Sequence, residues 1–386
     1  MSLLFRGFSS ITAADLITRR SERRSHRQVN ASEAMRSSAV WAALRLRADL
    51  ISSSPVDCYR KVDSRAVSVP TPPVLVNPGG SKVGIKEWVY STQVDLDRFG
   101  NCFGLITARD GMGFPARIDL LPGETMTVRT KDGQITEFCS GSKSFTPDQI
   151  WHEKQYTVAG VPVGLSPMAH AALTLATYLS AQEFAADWFS GGAVPSSHLK
   201  NTAKVLNGDE AQKVKDRFNQ SVRSGDVFVT GNDWDYQMLG SKASESAFLE
   251  TTQASIPDIA RFFSVPADTI DGAVSGQSVT YANITQRNLQ LLIMHLGPTV
   301  GRRETALSTL LPVPRFVKLN TDAVVLRMDP KSRADMNAVL LSSKQRTPSE
   351  VREKDDLPPF TPEQIAEIQA LAGAAQPVQV TKEHVA

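Results

Sequence analysis

Residues 244–311 read SESAFLETTQASIPDIARFFSVPADTIDGAVSGQSVTYANITQRNLQLLIMHLGPTVGRRETALSTLL, and this run decides the fold. It predicts a helix, a loop and a second, longer helix. Phe248, Leu249, Ile256, Ile259, Ala260 and Phe263 recur at near-helical spacing. The helix stops at Ser264-Val265-Pro266, because proline lacks a backbone donor and disfavours helix in the residue before it. Ala267 to Gln277 follows, with Asp271-Gly272, Ser275-Gly276 and no large side chain beyond Ile270 and Val274, which predicts a mobile loop without a core of its own. The second helix centres on Ile284, Leu289, Leu291, Leu292, Ile293 and Leu296. Gly297-Pro298 should kink it, since the ring clashes one turn back and frees a carbonyl.

Working outward, residue usage narrows the function. The chain has 386 residues, enough for two or three compact units. Its hydrophobic fraction is 41% and mean hydropathy −0.19. No apolar run reaches the roughly 20 residues of a membrane span, and Met1 to Ser10 lacks a secretory signal pattern, so synthesis in a cytosol is the expectation. Cys58, Cys102 and Cys139 have no C-x-x-C spacing and read as reduced, partly buried thiols. The net charge is only +2, with pI near 8.4. That argues against tight, sequence-specific DNA binding. It suits a conduit, where each fixed phosphate contact would have to break for DNA to slide.

Residues 1–29 carry Arg19, Arg20, Arg23, Arg24 and Arg27 without periodic apolar positions. They read as a flexible arm, either solvated or in contact with a neighbouring subunit or nucleic acid. Asn30 with Glu33 forms a capping box for one helix to about Ser52, with Val40, Trp41, Leu44, Ala48 and Ile51 on one face. Val56 to Arg60 is a strand, Val67 to Lys82 a loop, Glu87 to Leu96 a helix, and Phe99 to Cys139 an antiparallel series with a hairpin turn at Lys131-Asp132-Gly133. Ser166 caps a long helix to about Ser190. Residues 191–240 have the pattern of a small α/β unit with strands at Ser196 to Lys200, Asp226 to Thr230 and Tyr236 to Leu239. Arg315 to Leu319 and Ala323 to Met328 are strands. Helices open at Asp329-Pro330, at the box Thr347-Pro348-Ser349-Glu350 and at Thr361-Pro362-Glu363-Gln364, and the chain beyond Gly373 reads as disordered.

Several chemical readings fail on spacing. Gly79 to Gly84 lacks the Lys-Ser/Thr pair of a phosphate loop. His152-Glu153 has Tyr156 where a zinc hydrolase needs its second histidine. Gly164-Leu165-Ser166 has Met168 where a nucleophile elbow needs glycine. Asp95 and Asp97 read as solvated turn residues rather than a metal pair. No catalytic, cofactor-binding or metal-binding residue is expected.

Ile259-Ala260-Arg261-Phe262-Phe263-Ser264-Val265-Pro266, the loop and the kinked helix resemble the portal (head–tail connector) proteins of tailed bacteriophages; Ser264 stands where that family usually has glycine. Ser38-Ala39-Val40 to Pro55-Val56, Gly100-Asn101-Cys102-Phe103, Leu120-Leu121-Pro122, Ile150-Trp151-His152-Glu153, Gly191 to Pro195 and Val351-Arg352 to Pro359 extend the resemblance in order. It implies an α+β portal fold. Its parts would be a basic arm (1–29), a mixed wing domain (30–165), a stem helix (166–190), a small α/β clip (191–243), a second stem helix (244–263), a tunnel loop (264–280), the kinked helix and strands returning to the wing (281–329), a helical crown (330–370) and a disordered tail (371–386).

The resemblance further implies a homo-oligomeric ring, a dodecamer in the family, at one capsid vertex of the virion. Double-stranded DNA passes through it without sequence specificity. A terminase packaging ATPase, head-completion or tail adaptors and the capsid shell are the implied partners; no membrane or cofactor is. The loop residues Asp268, Thr269, Ile270, Asp271, Gly272, Val274, Ser275 and Gln277 would face the channel, the two aspartates repelling phosphate. A plain connection between two wing helices is the other reading. Lys213, Lys215 and Arg217 lie in the implied clip, either as a solvated helix face or as a docking surface. The remaining alternatives are a phage- or plasmid-encoded nucleic-acid-processing enzyme, which clustered carboxylates would favour, and a scaffold protein without a channel.

Overall fold

Alternating and helical apolar patterns both take effect in the computed structural model, which describes residues 11–12, 31–190, 197–203, 205–224, 229, 233–238, 255–270, 281–321, 330–354 and 357–374. The chain divides into two units, Met1–Leu326 and Arg327–Ala386.

In the first unit the strands are β1 (Ile11–Thr12), β2 (Val56–Val62), β3 (Arg65–Ser68), β4 (Asn101–Arg109), β5 (Pro115–Leu121), β6 (Met126–Lys131), β7 (Gln134–Ser140), β8 (Lys143–Phe145), β9 (Ile150–Lys154), β10 (Ser197–Asn201), β11 (Trp234–Met238) and β12 (Arg315–Leu319). Every pairing is antiparallel. The sheets run β1-β6-β7-β8, β10-β11, β12-β2-β3 and β5-β4-β9. Lys131 pairs with Gln134 across Asp132 (φ 52°) and Gly133 (φ 77°), the double left-handed turn that matches strand twist.

Some sequence expectations change. Part of the basic arm is fixed, since Ile11 and Thr12 pair with Val128 and Thr127. The single helix from Asn30 to Ser52 is two, Ala31–Ala34 and Ser38–Ser53. Ser37 breaks them: it is extended, and its hydroxyl caps Val40 N–H at 3.4 Å, which satisfies a donor that a continuous helix would not free. Trp41 leaves the buried face of Val40, Leu44, Ala48 and Ile51 and is half exposed. The loop from Val67 begins inside β3, which follows a turn at Asp63 and Ser64, both with positive φ. Asn30, Asp226 to Phe228, Thr230 and Ala323 to Met328 lie outside the described residues.

Buried apolar side chains form separate clusters. One joins helix Ile85–Phe99 and strands β2, β4, β9 and β12 to residues 291–311 through Trp88, Leu96, Cys102, Trp151, Leu296 and Leu307. A second joins helix Ser38–Ser53, helix Pro167–Ser190 and helical residues 255–262 through Leu44, Leu175, Ile259 and Phe263. A third holds Phe103, Met126, Val128 and Phe138. Each large side chain so buried contributes about 1.5–3 kcal/mol.

The second unit holds helices Pro330–Ser342, Pro348–Lys354 and Pro362–Ala374, the last running beyond the expected end at residue 370. Both anticipated capping boxes form. Glu350 N–H donates to the Thr347 hydroxyl (3.3 Å) while Thr347 N–H donates to the Glu350 carboxylate (2.7 Å). Thr361 and Gln364 repeat the exchange.

Candidate functional site

The site builds from the end of helical residues 255–262. Ser264 has φ 52°; its N–H donates to Arg261 C=O (3.1 Å), and Val265 N–H donates to Ala260 C=O (3.1 Å). This pair of bonds is the Schellman stop, whose left-handed position glycine occupies without strain. The chain then makes a short 3-10 turn, Ala267–Ile270, with Ala267 and Ile270 packed on the second core cluster. The first residues expected to be mobile are therefore anchored. Thr269 donates to Pro266 C=O through both N–H and hydroxyl. Asp268 is paired with Arg287 at 3.2 Å, so its repulsion of phosphate is offset by a cation on the following helix. Asp271, Gly272, Val274, Ser275 and Gln277 lie outside the described residues.

The long helix resumes as Tyr281–Gln290, continues as a π-helical turn, Leu291–Leu296, and ends as Gly297–Ser308. The disturbance expected at Gly297-Pro298 takes this form: Gly297 N–H reaches Leu292 C=O five residues back, which widens the turn where the proline ring would strike the preceding carbonyl. Ahead of the proline, Leu289, Ile293 and Met294 are 44%, 58% and 68% exposed.

After it, polar groups turn inward. Arg303 is fully buried, donating to Glu153 (2.6 Å) and to the Thr92 hydroxyl (2.7 Å), which itself donates to Trp88 C=O (2.8 Å). Arg47, also fully buried, donates to Asp97 (3.0 Å) and to the Thr299 hydroxyl (3.1 Å). Arg302 also donates to Thr299 (3.2 Å) and lies over the Tyr156 ring at 5.2 Å. Burial pushes the Glu153 carboxyl up to about 7, with Arg303 and Arg302 pulling against it. Asp97 is thus a buried ion-pair partner and Asp95 a largely buried acceptor for Gly123 N–H (3.3 Å), pushed by burial up to about 6; both sit on helix Ile85–Phe99. The solvated-turn reading is corrected for both. Sequence reading missed this network. A signal existed: Arg47 follows Leu44 and precedes Ile51 on the apolar stripe, and Arg303 lies between Val300 and Leu307.

The start of helix Pro167–Ser190 is fastened by Asn101. Its amide donates to Gly164 C=O (2.9 Å) and Phe99 C=O (3.0 Å), and its oxygen accepts from Gly164 N–H (2.8 Å) and from His152 Nε2 (3.0 Å). Gly100 (φ 71°) must be glycine twice over, since a Cβ would lie 2.1 Å from Leu165 O. Burial holds His152 well down, to about 3, and its ring stacks on Phe103 at 4.8 Å, so it is a core group. Ser166 caps Ala169 N–H (3.1 Å), as its position before Pro167 predicts.

Lys213, Lys215 and Arg217 are exposed on helix Gly208–Ser224. Lys213 and Arg217 stand one turn apart on one face, and Lys215 points to the opposite side. Asn207 caps this helix through Glu210 N–H (2.9 Å). Among the described residues no group of three or more His, Cys, Asp or Glu is placed to hold a metal ion, and no helix is long and apolar enough to cross a membrane. Cys58, Cys102 and Cys139 are free thiols.

A protein of Streptomyces phage phiC31 named "Probable portal protein" is 26% identical over 358 residues, covering 86% of this chain and 77% of that one. The portal protein of Enterobacteria phage HK97 is 25% identical over 362 residues, covering 89% and 84%. The crystal structure of an HK97-family phage portal protein from Corynebacterium diphtheriae shares the fold, with TM-score 0.60 at 18% identity over 79% of this chain and all of that chain. So does a chain from the neck of a native gene transfer agent particle computed with C12 symmetry, with TM-score 0.57 at 21% identity over 87% and 96%. The family model described as "Phage portal protein" matches residues 38–356, and the chain belongs to that family.

Proposed function

We propose that this chain works as a ring of identical subunits, a dodecamer, at one vertex of a phage capsid, and that double-stranded DNA is packaged and ejected through its centre. The family match across residues 38–356 is the observation that carries the reading, because it spans the loop, both flanking helices and the wing sheets together. The exposed stripe Leu289, Ile293 and Met294 supports it further: apolar area left open on one subunit is covered when a rotationally related copy packs beside it.

In this reading residues 264–280 form the tunnel loop, with Asp271, Gly272, Val274, Ser275 and Gln277 nearest the DNA and Asp268 held by Arg287 at its base. The helix carrying Lys213 and Arg217 belongs to the clip, where a packaging ATPase and later tail adaptors dock. The chain supplies the conduit and the ATPase supplies the work.

Electron microscopy of the purified protein tests this. Rings with a central hole are expected, and a protein that stays monomeric at every concentration would overturn it. Asp271→Lys is expected to slow DNA movement by adding a phosphate contact, most clearly at low salt; unchanged packaging there removes the loop from the channel wall.

A further inference from the structure

We propose that the open end of the β12-β2-β3 sheet binds the phosphate backbone of duplex DNA, at a site separate from the tunnel loop. Arg315 and Arg60 are register partners on β12 and β2. Arg60 faces Val67 on β3, and Val62, two residues on, faces Arg65. Register partners and residues two apart project from the same side of a sheet, so Arg60, Arg65 and Arg315 share one face. All three are exposed. The same face begins in the core, at Cys58 and Val317, and emerges from it toward the hairpin tip.

Among the described residues no ion pair balances this charge. None of the three guanidiniums makes an ion pair or side-chain hydrogen bond among the described residues, whereas Arg117 pairs with Asp119, Arg129 with Glu137 and Lys318 with Glu304. Their neighbours on the face are Val62 and Val67. Asp57 projects from the other side, as the register partner of Lys318. Like charges directly opposite on paired strands are destabilising. Cations on edge strands often block unwanted strand pairing. That account fails for Arg60, because β2 is the middle strand of its sheet.

An external polyanion explains the arrangement. Guanidinium forks match phosphate oxygens in a bidentate way that lysine does not. Direct and diagonal cross-strand neighbours lie about 5 and 7–8 Å apart, and one strand of B-DNA carries a charge every ~3.4 Å of axis. Three long side chains on that platform can therefore follow consecutive phosphates. The chain's net charge of +2 makes this a local field rather than a property of the whole surface.

The test is anisotropy of a short fluorescein-labelled duplex with the assembled wild-type protein and with Arg60→Gln/Arg65→Gln/Arg315→Gln, at rising salt. Each phosphate contact contributes about 0.9 to the slope of log K against log salt, so the triple variant should be shallower by roughly 3 and bind more weakly at low salt. The single Arg60→Gln variant should lose roughly 1, which keeps the test open if the triple variant misfolds. An unchanged slope overturns the proposal. So does a triple variant that folds but no longer assembles, because the cluster is then a contact with a second subunit. In the first case rings with a hole would still form, so the portal reading would stand while this site fell.

Discussion

The two halves of the long helix treat their side chains in opposite ways. Ahead of Pro298, Leu289, Ile293 and Met294 face outward; after it, Thr299 and Arg303 face inward. The later half is complete within one subunit, since its buried cation meets Glu153 and Thr92. The earlier half is different, because its apolar stripe is exposed among the described residues. One segment thus joins a self-contained anchor to an exposed apolar stripe, the surface that the proposed ring would cover.

The comparison breaks most sharply at Arg303. Arg303→Leu leaves Glu153 buried without its partner and is expected to cost about 3–5 kcal/mol, read by denaturant unfolding. The loss should depend on pH. A carboxyl whose folded pKa lies above its unfolded value favours the folded state at low pH and loses that advantage as pH rises through about 7. Removing Arg303 raises that pKa further, so the variant should be penalised more at pH about 8 than at about 6. Replacing both partners, as Arg303→Met with Glu153→Leu, should recover most of the stability.

At the start of helix Pro167–Ser190, Asn101→Ala abandons Gly164 N–H and C=O in a buried site and should cost about 2 kcal/mol by thermal unfolding. A change in the other direction is expected at the helix stop: Ser264→Gly relieves a left-handed serine and should raise stability by about 1 kcal/mol. The smallest effect on a single subunit sharpens the contrast. Leu289→Gln with Ile293→Gln should alter subunit stability by within about 0.5 kcal/mol while weakening assembly in sedimentation. A large loss in the isolated subunit would mean that the stripe packs within it.

What could be read in advance follows the range of the interactions. The turn at Lys131–Gln134, the box at Thr347–Glu350 and the stop at Ser264 are local, and their residue types state their geometry. The break at Ser37 was hidden because Val40 to Ile51 and the segment before it share one apolar rhythm. The hairpin ahead of β3 was hidden because Asp63 and Ser64 adopt positive φ without a glycine. The buried pairs were hidden by separation in sequence: the apolar stripes point Arg47 and Arg303 at the core, but their partners Asp97 and Glu153 lie 50 and 150 residues away. The family resemblance was carried by motifs such as Gly100-Asn101, whose physical reason, a backbone crossing at Gly164, emerges only in three dimensions.

That crossing has a mechanical consequence. Because Asn101 is the first residue of β4 and also grips both peptide groups of Gly164, tension along helix Pro167–Ser190 is delivered straight into the central strand of the β5-β4-β9 sheet. Strands on either side of β4 would share such a pull in shear across several ladder bonds at once. A chain gripped at that helix would transmit force to the sheet as a stiff strut instead of letting a connector stretch.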